Sequence, residues 1–286
     1  MEESDFREKE ITIVGLGLIG GSYAWALKNL KPKKIWAVDI DEHVLREAER
    51  LGAIDGGFRE GRIPLAQSDL VIICVYPSAA VRFVQDNMPH FKTGAILTDA
   101  VGNKQKVIQE IRSFLRADLD FIGGHPLAGK EVSGFVHASA EIFRGANYLL
   151  TPVQGNKAES LSILEKLVRG LGCREPIYLS PEEHDKIIAF TSQLPHVMAA
   201  ALANSCQISE LGKFIGGSFR DATRVARMNA TLWAELLLDN KENILTELDI
   251  FRDNIAKFQS ALKNDNKGEL ESLLRKSASI MSATIR

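Results

Sequence analysis

The chain has 286 residues, 45% of them hydrophobic and 25% charged, with a formal net charge of −2. That composition is ordinary for a globular protein, long enough to bury roughly 70–75% of its unfolded surface, and its charge balance makes no electrostatic case for nucleic acid or an anionic membrane. Cys74, Cys173 and Cys206 are scattered without metal-ligand spacing, so neither a zinc site nor a disulfide framework is expected, and a reduced, cytoplasmic setting fits.

The acidic opening, Met1 to Asp5, is unlike a secretory leader, and no apolar run approaches the ~20 residues of a membrane span. From Glu10 onward short apolar runs at 11–14, 34–38, 70–75, 95–98, 121–122 and 148–151 read as strands. Their near-continuous apolarity predicts a sheet covered on both faces. Helical patterns at 20–30, 42–51, 79–87 and 104–115 alternate with them, which is the signature of a doubly wound α/β fold. The alternation stops near Ser180. There Ser180-Pro181-Glu182-Glu183 combines an N-cap serine, a proline in the first helical position and a glutamate three residues after the cap. Everything beyond reads as helix, apart from a turn-like break at 212–218. The expected organisation is a Rossmann-type domain of residues 1–180, with a doubly wound parallel sheet, followed by an all-helical domain of residues 181–286.

The first strand runs into Gly15-Leu-Gly17-Leu18-Ile19-Gly20 and then a helix. This GxGxxG pattern stands in the strand–turn–helix setting that dinucleotide binding needs. Gly15 would make the tight turn, Gly17 would let the pyrophosphate approach, and Gly20 would let helix pack on strand. The N–H groups that open the helix, from Leu18 and Ile19 on, would face the phosphates. Asp39 closes the second strand, placed to accept hydrogen bonds from a ribose. No arginine beside it awaits a 2′-phosphate, so NAD is expected rather than NADP.

His125, in Gly123-Gly-His-Pro-Leu-Ala-Gly129, follows the strand ending at Ile122. Ligands of open α/β sheets sit at that carboxyl edge, where a histidine could take a hydroxyl proton; it could equally be a loop histidine bonded to backbone. In Gly216-Gly217-Ser-Phe-Arg-Asp221-Ala-Thr-Arg224, Asp221 and Arg224 would share a helical face. Asp221 could then orient the Arg224 fork toward a carboxylate, or the two could be a solvated ion pair. His196 lies in an otherwise apolar helix, where a core role is the commoner one.

Together the glycine loop, Gly124-His-Pro-Leu-Ala-Gly129 with Glu131 just beyond, Leu194-Pro-His196, the stretch 216–224 and Trp233 to Ile244 resemble the prephenate dehydrogenase family over nearly the whole chain. The resemblance implies oxidative decarboxylation of prephenate with NAD and no metal. It implies His125 as the base toward the substrate's C4 hydroxyl, Arg224 on a substrate carboxylate, and His196, Glu131, Asp221 and Gly217 around the substrate. It also implies a homodimer built through the helical domain. It leaves open arogenate as the preferred substrate. One departure stands out: where many members carry a serine beside the catalytic histidine, the loop Asp99-Ala-Val-Gly-Asn-Lys104 has Gly102. The orienting role is then vacant, or passes to Asn103, backbone or water. Neither the regulatory domain nor the mutase domain that some members carry is expected from these residues. Two rivals remain on residues alone: a β-hydroxyacid-type dehydrogenase, for which no catalytic lysine motif is visible, and a catalytically silent NAD(H)-sensing dimer.

Overall fold

The computed structural model describes residues 4–284, so much of the acidic opening and the last two residues of the final expected helix lie outside the described chain. After a short helix α1 (Ser4–Arg7) come the strands β1 (Glu10–Val14), β2 (Lys34–Val38), β3 (Gly56–Phe58), β4 (Leu70–Ile73), β5 (Ile96–Asp99), β6 (Asp120–Pro126), β7 (Tyr148–Thr151) and β8 (Ile177–Tyr178). They form one eight-stranded sheet in the order β3-β2-β1-β4-β5-β6-β7-β8.

Alternation along the strands explains their unbroken apolarity. Ile11, Ile13, Leu70 and Ile72 face one side, where they meet Leu27 of α2 (Leu18–Leu27), Leu45 of α3 (Glu42–Arg50) and Leu167 of α7 (Ala158–Gly170). Val14, Val71, Ile73 and Leu97 face the other, against Leu65 of the short α4 (Arg62–Leu65), Val84 of α5 (Pro77–Asp86) and Ile111 of α6 (Gln105–Phe114). Each such side chain, fully buried, contributes about 1.5–3 kcal/mol, so the covered sheet is the rigid base of the molecule.

The structure differs from the sequence reading in three respects. Strand β3 carries two glycines and β8 spans only Ile177 and Tyr178, so neither has the apolar run that betrays a strand. Helix α7 occupies residues for which the sequence reading gives no helix. The third difference is direction: β7 pairs antiparallel to β6 in an otherwise parallel arrangement. Its connection, residues 127–147, contains only short 3₁₀ turns, and an antiparallel return needs no crossover helix.

The helical part opens at α8 (Pro181–Ile188) with the anticipated capping box: Ser180 Oγ accepts from Glu183 N–H at 3.1 Å, and Ser180 N–H donates to Glu183 at 2.9 Å. A π-helical turn, Ala189–Gln193, leads into α9 (Leu194–Asn204), followed by α10 (Gly217–Thr223), α11 (Ala230–Asp239), α12 (Lys241–Lys263) and α13 (Lys267–Thr284). These helices leave much apolar surface uncovered. Helix α12 buries only Ile244 and Ala261, and α13 buries none of its described residues. Phe214 and Leu238 are 70% and 71% exposed, and Leu202, Ile208, Phe214 and Phe219 line an apolar groove of about 480 Å³. No helix of the described residues is long and apolar enough to cross a membrane.

Candidate active site

The glycine loop sits at the carboxyl end of β1, in the middle of the sheet. Gly15 has φ +87°, and a Cβ there would stand 2.7 Å from Val75 Cγ1 and 2.9 Å from the Cys74 carbonyl; only glycine fits both the conformation and the space. A Cβ on Gly20 would run into the Gly15 carbonyl, whereas one on Gly17 would meet nothing within 4 Å. The open space at Gly17 is on the side where a ligand must approach. Helix α2 begins there with no side-chain cap, so the first-turn N–H groups of Leu18, Ile19 and Gly20 remain available to an anion. Asp39 turns back onto this loop, its carboxylate accepting the Leu16 N–H at 2.6 Å and the Asp41 N–H at 2.9 Å. Loop and carboxylate thus fit the pyrophosphate and the adenosine ribose of a dinucleotide.

His125 lies two strands beyond β4 on the same edge. It is on a strand rather than in the loop that the sequence suggested. Parallel pairing of β6 with β5 ends at Ile122, and antiparallel pairing with β7 takes over, placing His125 opposite Leu149. The ladder therefore holds its backbone past the point where β5 stops. The two preceding glycines make room: a Cβ on Gly123 would be 2.8 Å from Lys104 Cδ, and one on Gly124 would be 2.7 Å from the Tyr148 hydroxyl.

Beneath this strand the β5–α6 turn is tied down by charge. Lys104 and Asp99 form a salt bridge with both side chains fully buried. Asp99 also accepts the N–H groups of Gly124 at 3.0 Å and Val101 at 3.1 Å, and Lys104 donates to the Val101 carbonyl at 2.8 Å.

The imidazole of His125, half-buried, meets a second histidine: its Nδ1 lies 2.9 Å from Nε2 of His184. His184, fully buried near the start of α8, has its Nδ1 2.7 Å from the Asp185 carboxylate. Asp185 in turn accepts the N–H groups of Lys104 at 2.7 Å and Gln105 at 2.9 Å. The helical part thereby caps α6 and reaches His125. Burial above all, then the neighbouring His184 and the Lys104 ammonium, push the His125 pKa well below the usual histidine range. Burial likewise lowers His184, although Asp185 works against it. An ordinary titration near pH ~6.5, the expectation for an unperturbed histidine, is therefore not that of His125.

Neither Gly102 nor Asn103 is turned toward His125. A side chain at Gly102 would point at α11, with its Cβ 3.1 Å from Leu236. Asn103 is also turned away, donating to the Leu236 carbonyl at 2.7 Å and accepting from Gln193 at 2.9 Å. Asn240 completes this buried seam, donating to Gln193 at 2.8 Å and to the Asp185 carbonyl at 2.8 Å. Gln193 closes the π-helical turn, a feature that often marks functional sites.

Arg224 pairs with Glu131, on the loop after β6, and not with Asp221. Helix α10 ends at Thr223 and Arg224 opens a 3₁₀ turn, Arg224–Ala226, so the helical i,i+3 geometry expected of Asp221 and Arg224 is lost between them. Asp221 is exposed, and Gly217 opens α10 with nothing within 4 Å of a would-be Cβ. His196, on α9, packs near the Arg224 turn through its helix and stacks on Trp233 at 3.7 Å between ring centroids. Its Nδ1 is 2.8 Å from the Ser192 carbonyl, so Nδ1 carries hydrogen and Nε2 is left as an acceptor. Two further bonds draw the halves together: Asn229 Nδ2 donates to the Tyr76 hydroxyl at 2.7 Å, and Glu235 accepts the Ser78 N–H at 2.5 Å.

Sequence reasoning missed His184, Asp185, Lys104 and Trp233. A His-Asp pair in the first turns of a capped helix was the available signal for the first two.

Known proteins share this architecture. The model described as prephenate dehydrogenase, nucleotide-binding domain, matches residues 23–176, and that described as prephenate dehydrogenase, dimerization domain, matches residues 180–276. A prephenate dehydrogenase of Bacillus subtilis is 32% identical over 268 residues, covering 91% of this chain and 72% of the relative. A cyclohexadienyl dehydrogenase of Zymomonas mobilis is 33% identical, covering 90% of each chain. The crystal structure of the Aquifex aeolicus prephenate dehydrogenase in complex with hydroxyphenyl propionate and NAD+ superimposes with a TM-score of 0.88 at 26% identity, covering 98% of this chain and 100% of that one. With the two domain models matched in order over residues 23–176 and 180–276, the chain belongs to the prephenate dehydrogenase family.

Proposed function

We propose that this chain catalyses the oxidative decarboxylation of prephenate to 4-hydroxyphenylpyruvate and CO₂ with NAD. The observation that carries the reading is His125, held by the β6–β7 ladder at the carboxyl edge of a sheet whose central loop fits a dinucleotide. NAD, when bound, supplies the acceptor for the hydride leaving C4. The chain's own residues do the rest. The uncapped start of α2 and Asp39 hold the cofactor, His125 accepts the C4 hydroxyl proton, and loss of the ring carboxylate as CO₂ restores aromaticity. The driving force lies in the substrate, so positioning and a single proton acceptor are the main demands on the protein.

Arg224 is the carboxylate anchor in this reading. It already faces a carboxylate, that of Glu131, with its side chain 62% exposed, and a substrate carboxylate would compete for the same fork. His196 and Trp233 form a stacked wall beside it, with the His196 Nε2 free to accept. Asp221 and Gly217, open in α10, would complete the surroundings of the substrate. The division at Ser180, a homodimer through the uncovered helical faces and a cytoplasmic setting complete the proposal.

The test is a spectrophotometric one. Purified protein with NAD and prephenate should produce NADH, with arogenate run in parallel and NADP in place of NAD. Absence of NADH from either substrate would refute the reading. Because Asp39 presents a carboxylate where a 2′-phosphate would lie, and its neighbours Ile40 and Asp41 bring no positive charge, kcat/KM should favour NAD. Equal or better use of NADP would remove Asp39 from the cofactor site.

A further inference from the structure

We propose that Asp185 and His184 are positioning residues that fix the tautomer of His125, leaving its Nε2 lone pair as the base. The proposal rests on the reading of His125 as proton acceptor.

Each proton along the line is fixed by its neighbour. Asp185 receives two backbone N–H donors, from Lys104 and Gln105. Both can only donate, so the Asp185 oxygens accept. The His184 Nδ1 stands 2.7 Å from that carboxylate; a bare nitrogen there would set two lone pairs against each other, so Nδ1 carries the hydrogen. His184 is fully buried, and the Lys104 ammonium disfavours a second positive charge on it. It is therefore neutral, with Nε2 an acceptor. His125 Nδ1 lies 2.9 Å from that acceptor and must donate. The only nitrogen of His125 left with a lone pair is Nε2, the one facing away from His184.

Reaction reverses nothing in this chain. When Nε2 binds the substrate's hydroxyl proton, His125 becomes an imidazolium whose Nδ1–H already points at an acceptor, with the Asp185 charge behind it. The facing charged groups are few: Asp99 and Lys104, paired with each other from β5 and the β5–α6 turn, and Asp185 from α8. The net negative charge is thus on the His184 side. The same three residues bridge sheet and helices, so the base is set only when α8 is docked on α6.

The arrangement makes distinct demands on variants. In Asp185→Asn an amide must serve the same two N–H donors with one oxygen. Its NH₂ then faces His184 Nδ1 and favours the opposite tautomer along the line, so that His125 Nε2 carries hydrogen and cannot accept. A wrongly set histidine of this kind costs up to about 10⁴ in kcat. We expect Asp185→Asn to lower kcat at least about 100-fold at pH 8 with KM for prephenate within a few-fold, and His184→Leu to do the same. His184→Gln, whose amide oxygen can still accept from His125 Nδ1, should recover at least about tenfold over His184→Leu.

The ligand-free wild type provides the measurement that needs no variant. Two-dimensional ¹⁵N–¹H spectra of its histidine rings at pH 8 should show both His125 and His184 neutral with hydrogen on Nδ1. Hydrogen on Nε2 of His125 would overturn the proposal, as would Asp185→Asn and His184→Leu enzymes that are folded by thermal melt and within about threefold of wild-type kcat. His125→Asn separates the two readings: if it keeps activity, the base assignment itself fails. If it loses activity while the Asp185 and His184 variants do not, only the positioning role falls.

Discussion

Lys104 and Asp99 meet in a salt bridge from which water is excluded on both sides, packed against the strand that carries His125. A buried pair of this kind is weak evidence for net stability, but removing one partner leaves a lone buried charge and costs about 3–5 kcal/mol. Lys104→Met should therefore lower the melting temperature by at least about 6 °C, taking roughly 2–4 °C per kcal/mol for a chain of this size. A shift under 2 °C would show that the pair is not isolated from solvent. Activity should fall further than stability alone explains, because Asp99 also holds the Gly124 N–H behind His125.

His125 sets the pH dependence. Its pKa is depressed by burial, His184 and Lys104, so the neutral base predominates already at mildly acid pH. The rise of kcat/KM with pH should lie below about 6.5, the ordinary histidine value, with a plateau from there to pH 8. A midpoint at or above 6.5 would contradict it. The same depression links to stability. The unfolded chain takes up these protons first as pH falls, so stability contributed by neutral His125 and His184 is complete above about 6.5 and is lost below it. His125→Asn should cut kcat by ~10²–10⁴ and remove the rise, with NAD binding intact.

Arg224 faces Glu131 across the two halves. Arg224→Ala should weaken prephenate binding by roughly 1.5–3 kcal/mol, the range for losing a hydrogen bond to a charged group, with little change in NAD affinity. If KM for prephenate stays within about threefold of wild type, Arg224 is only the partner of Glu131.

The exposed apolar residues of the helical half, Phe214 and Leu238 among them, call for a covering surface. Light scattering at micromolar concentration should give twice the chain mass of 31.5 kDa. Replacing Phe214 and Leu238 by Glu should shift that mass toward the monomer. A wild-type monomer would leave the apolar groove unexplained by self-association.

What the amino-acid order determined by itself was local. The glycine loop, Asp39 after β2, the apolar runs of β1, β4 and β5 and the capping box at Ser180 depend on residues adjacent in the chain, and each is legible as such. The two-residue β8 and the glycine-bearing β3 carry weaker local signals and emerged only in the folded sheet, whereas α7 has an ordinary helical pattern, with Leu164, Leu167 and Val168 on its buried face. Tertiary structure alone decided which partner each polar side chain found. Asp221 lost Arg224 to Glu131 because α10 ends between them, and Gly102 faces Leu236 because α11 packs on the β5–α6 turn. His125 meets His184 across fifty-nine positions of sequence because the antiparallel β7 extends β6 past β5 while Asp185 pins α8 to α6. Such pairings depend on how separately formed elements dock, and burial then fixes both their geometry and their charge.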